Sequence, residues 1–252
     1  MGASSGLGQE VAGLLYESGW SVGIAARRGA VLSDWKNGQT GKLLGGKGPA
    51  GTLLRGEIHA MEIDVCGEDA PDRLAALVDK LGGVDLYVHA SGIGKQNPDL
   101  DSEIELNTVR TNCMGFTRMI DAVFGLMADR GGGHIAVISS VAGTRGLAPA
   151  PSYSAAKAFQ TTYIEALEQL SKTRKLNIRF TDIRPGFVDT PLLSGKHYPM
   201  LMDRHDVARR MVSAVNAGKH VCVIDWRWRV VTWLWRLIPR FAWRNVRLVK
   251  VN

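Results

Sequence analysis

The feature that most constrains this chain is an alternation. Short apolar runs that read as strands recur between longer segments with helical periodicity. The strand-like runs are 20–28, 57–63, 84–89, 131–138, 176–183 and 220–224. The helical segments are 70–81, 103–128 (one long helix or two joined), 152–172 with Ser152 in the N-cap position, and 203–217. Strands joined through helices run parallel, and a parallel sheet is buried by helices on both faces. The expected fold class is therefore α/β, a doubly wound parallel sheet. Residues 29–56 are glycine-rich and read as a surface loop with a short helix near 30–35. No repeat or linker divides the 252 residues, which suits one domain over 1–224 with an extension over 225–252.

Ligands of open α/β sheets sit at the carboxyl ends of strands, so the residues there carry the functional signal. The chain opens Met1-Gly2-Ala3-Ser4-Ser5-Gly6-Leu7-Gly8, a G-x-x-x-G-x-G loop leading into an apolar helical pattern. Glycines so spaced let backbone approach a diphosphate, with the helix N-terminus facing the anion. The plainer reading is an ordinary N-terminal turn, because such a loop should follow a strand and Met1 stands where that strand would end. Arg27 and Arg28 close the next strand. An acidic residue there would bind a ribose 2′-hydroxyl, whereas arginine accommodates a 2′-phosphate, so NADP(H) is expected over NAD(H). Two solvated arginines at a strand end are the alternative.

Ser140, Tyr153 and Lys157 form the chemical core of the sequence. Tyr153 and Lys157 lie one helical turn apart on one face. A free tyrosine has a pKa of about 10, and a neighbouring ammonium favours the phenolate. Ser140 follows a buried strand and offers a hydroxyl for a carbonyl or alkoxide oxygen. Tyr-x-x-x-Lys alone is as readily a surface helix, so it gains meaning only from its neighbours.

Together these motifs resemble the short-chain dehydrogenase/reductase family over residues 2–224. Asn112, Ser140, Tyr153 and Lys157 are similar to its catalytic tetrad, including the 13-residue gap from serine to tyrosine. Gly2, Ser4, Ser5, Gly6, Leu7 and Gly8 look like its cofactor loop, Asp64 and Val65 like its adenine-contacting pair, and Ala90 and Gly92 like its second glycine turn. Pro185, Gly186, Val188 and Thr190 resemble the segment that contacts the nicotinamide carboxamide. The resemblance implies a Rossmann-type fold with strand order 3-2-1-4-5-6-7, and a homodimer or homotetramer. It implies an NADP(H)-dependent oxidoreductase interconverting a carbonyl and a secondary alcohol. Tyr153 would be the general acid or base, and Lys157 would lower its pKa and hold the ribose. Ser140 would orient the substrate, and Asn112 would help hold a relay water. Two features depart from the pattern. His89-Ala90-Ser91-Gly92 replaces Asn-Asn-Ala-Gly, with His89 a candidate replacement donor, and the family's central first strand has no counterpart. The expectation is that the natural protein carries roughly 5–10 further residues upstream, about one strand.

The apolar residues of 186–202 suit a lid over a small apolar carbonyl or alcohol substrate. Three dispersed cysteines give no disulfide framework or metal-ligand spacing, so a reducing, cytoplasmic setting and no metal are expected. The net charge is +7, but residues 225–252 hold six arginines and one lysine against one aspartate. The rest is nearly neutral, which argues against nucleic-acid binding. Five of seven tryptophans lie in this tail, where Arg229, Arg236, Arg240, Arg244 and Arg247 would form one helical stripe, with Pro239 breaking the helix. Such a helix suits a membrane surface, or its apolar side covers the pocket or a second subunit. Two other functions stay open: a non-catalytic NADPH-binding regulator, and a peripheral membrane protein acting through its tail.

Overall fold

The computed structural model describes residues 1–44, 56–193 and 198–246. Among these described residues the strands, in chain order, are β1 (Val22–Ala26), β2 (Ile58–Glu62), β3 (Leu86–His89), β4 (Gly133–Ile138), β5 (Ile178–Arg184) and β6 (Val221–Val223). The α-helices around them are α1 (Gly6–Glu17), α2 (Gly29–Leu44), α3 (Ala70–Lys80), α4 (Ser102–Val109), α5 (Phe116–Asp129), α6 (Pro151–Thr173), α7 (Arg204–Asn216), α8 (Trp226–Leu237) and α9 (Arg240–Trp243). Every strand pairing is parallel, with Ile24 opposite Ala60 and Ala136 opposite Thr181. β4 and β5 carry the long buried runs that a sheet covered on both faces requires. One apolar cluster joins α1, α7 and α8 to the sheet through Val11, Leu15, Ile24, Met211 and Trp228. The other joins α3, α5 and α6 through Leu74, Phe116, Met119, Ile120 and Ile164. The α/β class and the doubly wound layering are as expected.

The strands fall into two sheets, the arrangement expected when the central first strand of the order 3-2-1-4-5-6-7 has no counterpart among these residues. β1–β2 form one sheet and β3–β4–β5–β6 another. Between β1 and β3 lies a slot of about 380 Å³ walled by Val11, Leu15, Val22, Ala25, Leu86 and Val88. Each of the two strands pairs on its other side only. Met1 and Gly2 cross the slot at its carboxyl end. The Met1 amino group donates to Val88 O at 3.0 Å, Ala90 N–H donates to Met1 O at 2.9 Å, and Gly2 N–H donates to Ala25 O at 2.7 Å.

Two expectations need correction, and a third resolves between its two alternatives. The stretch read as a loop after a short helix is helical from Gly29 to Leu44, anchored by the fully buried Leu32 and by Trp35 against the core. Residues 45–55 lie outside the described part. Ser152 is not the N-cap of α6. Pro151 is the first helical residue, a position where a missing N–H costs nothing, and Ala150 precedes it. Ser152 N–H instead donates to Glu105 Oε2 at 2.9 Å. The 103–128 segment is two helices joined by a π-helical turn at Arg110–Gly115, which carries Asn112.

Candidate active site

A cleft of about 600 Å³ opens at the carboxyl ends of the strands. Gly2, Ser4, Ser5, Gly6, Leu7 and Gly8 line it, as do Arg27, Arg28, Val65, Ala90, Gly92, Ser140, Tyr153, Lys157, Pro185, Gly186, Val188 and Thr190. The structure thus gathers these cofactor-loop and catalytic candidates in one cleft, while Asp64, His89 and Asn112 do not line it.

The first loop passes tightly under the second. Gly2 has φ +84°, and a Cβ there would fall 2.6 Å from Ser91 N, so only glycine fits. The loop delivers the start of α1 to the cleft wall, with no acidic residue in the first turn. Its leading N–H groups have no intrahelical acceptors and suit an anion. Arg28, just past β1, donates to Ser4 Oγ at 2.9 Å and Ser5 Oγ at 3.0 Å, which fixes a guanidinium over the loop. Arg27 is exposed on the same rim. Asp64 is turned away. Its carboxylate accepts from Cys66 N–H at 3.0 Å, and Ile63 and Val65 form the wall instead.

The second turn is held by Asn112 from behind. Ile93 N–H donates to Asn112 Oδ1 at 2.9 Å, and Asn112 Nδ2 donates to Ile93 O at 2.7 Å. The side chain is fully buried and braces residues 90–94 rather than facing the cleft. The π-helical turn rotates it into that position, a common local device at functional sites. His89 is buried, its Nδ1 3.0 Å from Tyr87 Oη. Burial, with smaller contributions from the amino terminus and Lys157, lowers its pKa to about 3, so it is neutral. Its side-chain partner thus lies inside the same strand, and its Nε2 has no hydrogen-bond partner among the described residues.

Lys157 carries the densest network. Its Nζ donates to Ile138 O and to Gln160 Oε1, each at 2.9 Å, and Gln160 Nε2 donates to Asn112 O at 2.9 Å. Gln160 thus ties Lys157 to the Asn112 backbone. Burial lowers the Lys157 pKa to about 8, opposed by Asp182 and Cys113. Asp182, on β5, accepts from Ser139 Oγ and pairs with the buried Arg184 at 2.6 Å. Ser140 begins a single 3₁₀ turn over Val141–Thr144, and its Oγ accepts from Ala142 N–H at 3.1 Å.

Tyr153 differs from expectation. Burial raises its pKa, and the Ser140 hydroxyl pulls it back only in part. The Lys157 Nζ lies 5.8 Å from the Tyr153 ring centroid and is already bonded elsewhere. The phenol is thus held protonated, which suits donation of a proton to a developing alkoxide. Gln160 and Asp182 were missed in the sequence. Gln160 stands three residues after Lys157 on the same helix, a spacing that could have revealed it. Asp182 is one of several polar residues in β5 and gives no such signal.

The profile described as short chain dehydrogenase matches residues 1–198. The chain belongs to the short-chain dehydrogenase/reductase family. It is 33% identical over 243 residues to a Myxococcus xanthus protein described as an uncharacterized oxidoreductase, covering 94% of this chain and 90% of that one. Among solved structures, a short-chain type dehydrogenase/reductase from Mycobacterium ulcerans superposes with a TM-score of 0.76 at 22% identity, covering 98% and 96% of the two chains. An alcohol dehydrogenase from Thermococcus sibiricus, complexed with 5-hydroxy-NADP, superposes with a TM-score of 0.72 at 21% identity, covering 88% and 91%. The protein is an oxidoreductase of this family, which uses a nicotinamide cofactor. The residues present fit that group. The cleft is of dinucleotide size, the start of α1 faces it without acidic residues, and a guanidinium stands over the glycine loop.

Proposed function

We propose that this protein is an NADP(H)-dependent oxidoreductase that interconverts a carbonyl and a secondary alcohol, with Tyr153 as the proton donor and acceptor. The observation that carries the reading is that Ser140, Tyr153 and Lys157 meet in one cleft with Arg28 held by Ser4 and Ser5. Bound nicotinamide supplies the hydride chemistry of the reaction. The chain supplies the rest. Arg28, with Arg27 beside it, pairs with a 2′-phosphate, and the start of α1 takes the diphosphate. Ser140 Oγ orients the substrate oxygen, and Tyr153 Oη moves the proton to or from it. Lys157, fixed by Ile138 O and Gln160, presents a positive charge to the ribose side of the cleft. Val188 and Leu192 give the cleft an apolar border, which suits a small apolar ketone or alcohol.

The test is a panel of small apolar ketones reduced with NADPH, with Tyr153→Phe run beside the natural chain. Loss of the positioned acid predicts a fall of about 10²–10⁴-fold in kcat with NADPH affinity retained. Turnover by Tyr153→Phe equal to that of the natural chain would sink the assignment.

A further inference from the structure

α8 meets the rest of the chain along one side. Trp228 is buried edge-on to Phe187, with 5.5 Å between ring centroids. It also lies against Gly186, where an added Cβ would fall 2.1 Å from the indole nitrogen. Thr232 is buried on the same side, and Val231 and Trp235 pack against the core beside it. Arg145 donates to the carbonyls of Trp235, Arg236 and Ile238 at 3.1, 3.0 and 2.8 Å, and Trp243 Nε1 donates to Gly146 O at 2.9 Å. These contacts fix the rotation of the helix about its own axis.

A helix docked in this way normally turns a polar face outwards. α8 does not. Trp226, Val230, Trp233, Leu234 and Leu237 follow one another at i, i+4, i+7, i+8 and i+11, a single stripe opposite Trp228 and Trp235. Their exposures are 69, 47, 59, 48 and 60%, and beyond the break at Pro239 the next helix adds Phe241 at 73%. Arg229 and Arg236, seven residues apart, flank the stripe, and the exposed Arg240 and Arg244 continue it. No acidic residue occurs from 226 to 246. Among the described residues the helix's only ion pair is Arg227 with Asp225, and none of these four arginines has an ion-pair partner there. Arg247 lies outside the described residues.

We infer that the outward face of α8 and α9 lies on an anionic lipid surface. Tryptophans and leucines enter the boundary between headgroups and acyl chains, and the flanking arginines meet the anionic headgroups. Charge complementarity selects this occupant. The stripe is one helix wide and convex, and the negative charge it needs must run along its length beside Arg229 and Arg236, which a sheet of headgroups provides. Among the described residues no helix is long and apolar enough to cross a membrane, so the contact is one of lying on the surface. The inward side of α8 touches Gly186 and Phe187 beside the cleft, so the docked chain holds the cleft mouth close to the lipid.

The test is flotation of the full chain with phosphatidylcholine vesicles, with and without phosphatidylserine, at low and raised salt. The expected result is binding to the phosphatidylserine vesicles alone, weakened by salt, with a blue shift of tryptophan fluorescence. Each arginine near an anionic surface contributes about fivefold in partitioning. Arg229→Glu with Arg236→Glu should therefore lower binding by at least about 25-fold. Trp233→Asp with Leu237→Asp should abolish it. These side chains point away from the core, so thermal unfolding should stay as in the natural chain, which separates lost docking from lost folding. If the chain fails to float with phosphatidylserine vesicles, the inference is overturned. It is equally overturned if Trp233→Asp with Leu237→Asp converts a dimer to a monomer while vesicle binding is absent, which would make the stripe a contact between copies.

Discussion

Replacing Gln160 by leucine probes the network that fixes Lys157. The side chain is fully buried, accepts one hydrogen bond from Lys157 Nζ and donates one to Asn112 O, each at 2.9 Å. Leucine keeps most of the volume and removes both bonds. Losing the bond to the ammonium costs about 1.5–3 kcal/mol, and leaving the Asn112 carbonyl without its partner costs about 1–3 kcal/mol more. The apolar gain of leucine offsets part of this, leaving roughly 3–4 kcal/mol of destabilisation. In a domain of this size that lowers Tm by about 6–16 °C. The second consequence is electrostatic. Without the Gln160 carbonyl the charged form of Lys157 is less favoured, so its pKa should fall further below about 8. Differential scanning calorimetry reads the first effect, and the pH profile of ketone reduction by Gln160→Leu reads the second. A Tm within about 2 °C of the natural chain, together with an unchanged pH profile, would refute the claim that Gln160 positions Lys157.

Other outcomes follow from the same structure. Lys157 has a folded pKa of about 8 against 10.5 when exposed, so between those values the unfolded chain binds more protons. Stability should therefore rise with pH across that window, by about 3 kcal/mol at most, in urea unfolding of the natural chain relative to Lys157→Met. Trp228→Ala empties the contact with Gly186 and Phe187 and should cost about 3–5 kcal/mol, with faster proteolysis near Asp225 as the companion readout. Asp203 caps α7 through His205 N–H and Asp206 N–H, so Asp203→Ala should cost about 1 kcal/mol and leave cofactor binding unchanged.

The alternation of β1 to β6 with their helices was legible because burial on both sheet faces forces long apolar runs, and those survive in a single sequence. Tyr153, Lys157 and Ser140 were legible because one helical turn and one strand end bring them together. The break at Pro239 was equally plain, since proline removes the N–H that a continuing helix needs. α2 was hidden because its glycines argue for a loop locally, whereas Leu32 and Trp35 are held by tertiary contacts that outweigh propensity. The bracing contact of Asn112 with Ile93 was hidden because a π-helical turn has no sequence signature. The protonation of Tyr153 depends on burial, which no spacing reports. The stripe on α8 became visible only once Trp228 and Arg145 fixed which side of the helix faces inwards.

The most direct test of the account is a fluorescence titration of the chain with NADPH and with NADH, repeated on Arg28→Asp. Arg28 held over the glycine loop predicts that NADPH binds at least about tenfold tighter than NADH, a difference of about 1.4 kcal/mol, and that Arg28→Asp removes or reverses the preference. Equal affinity for the two cofactors in the natural chain, or a preference untouched by Arg28→Asp, would contradict it.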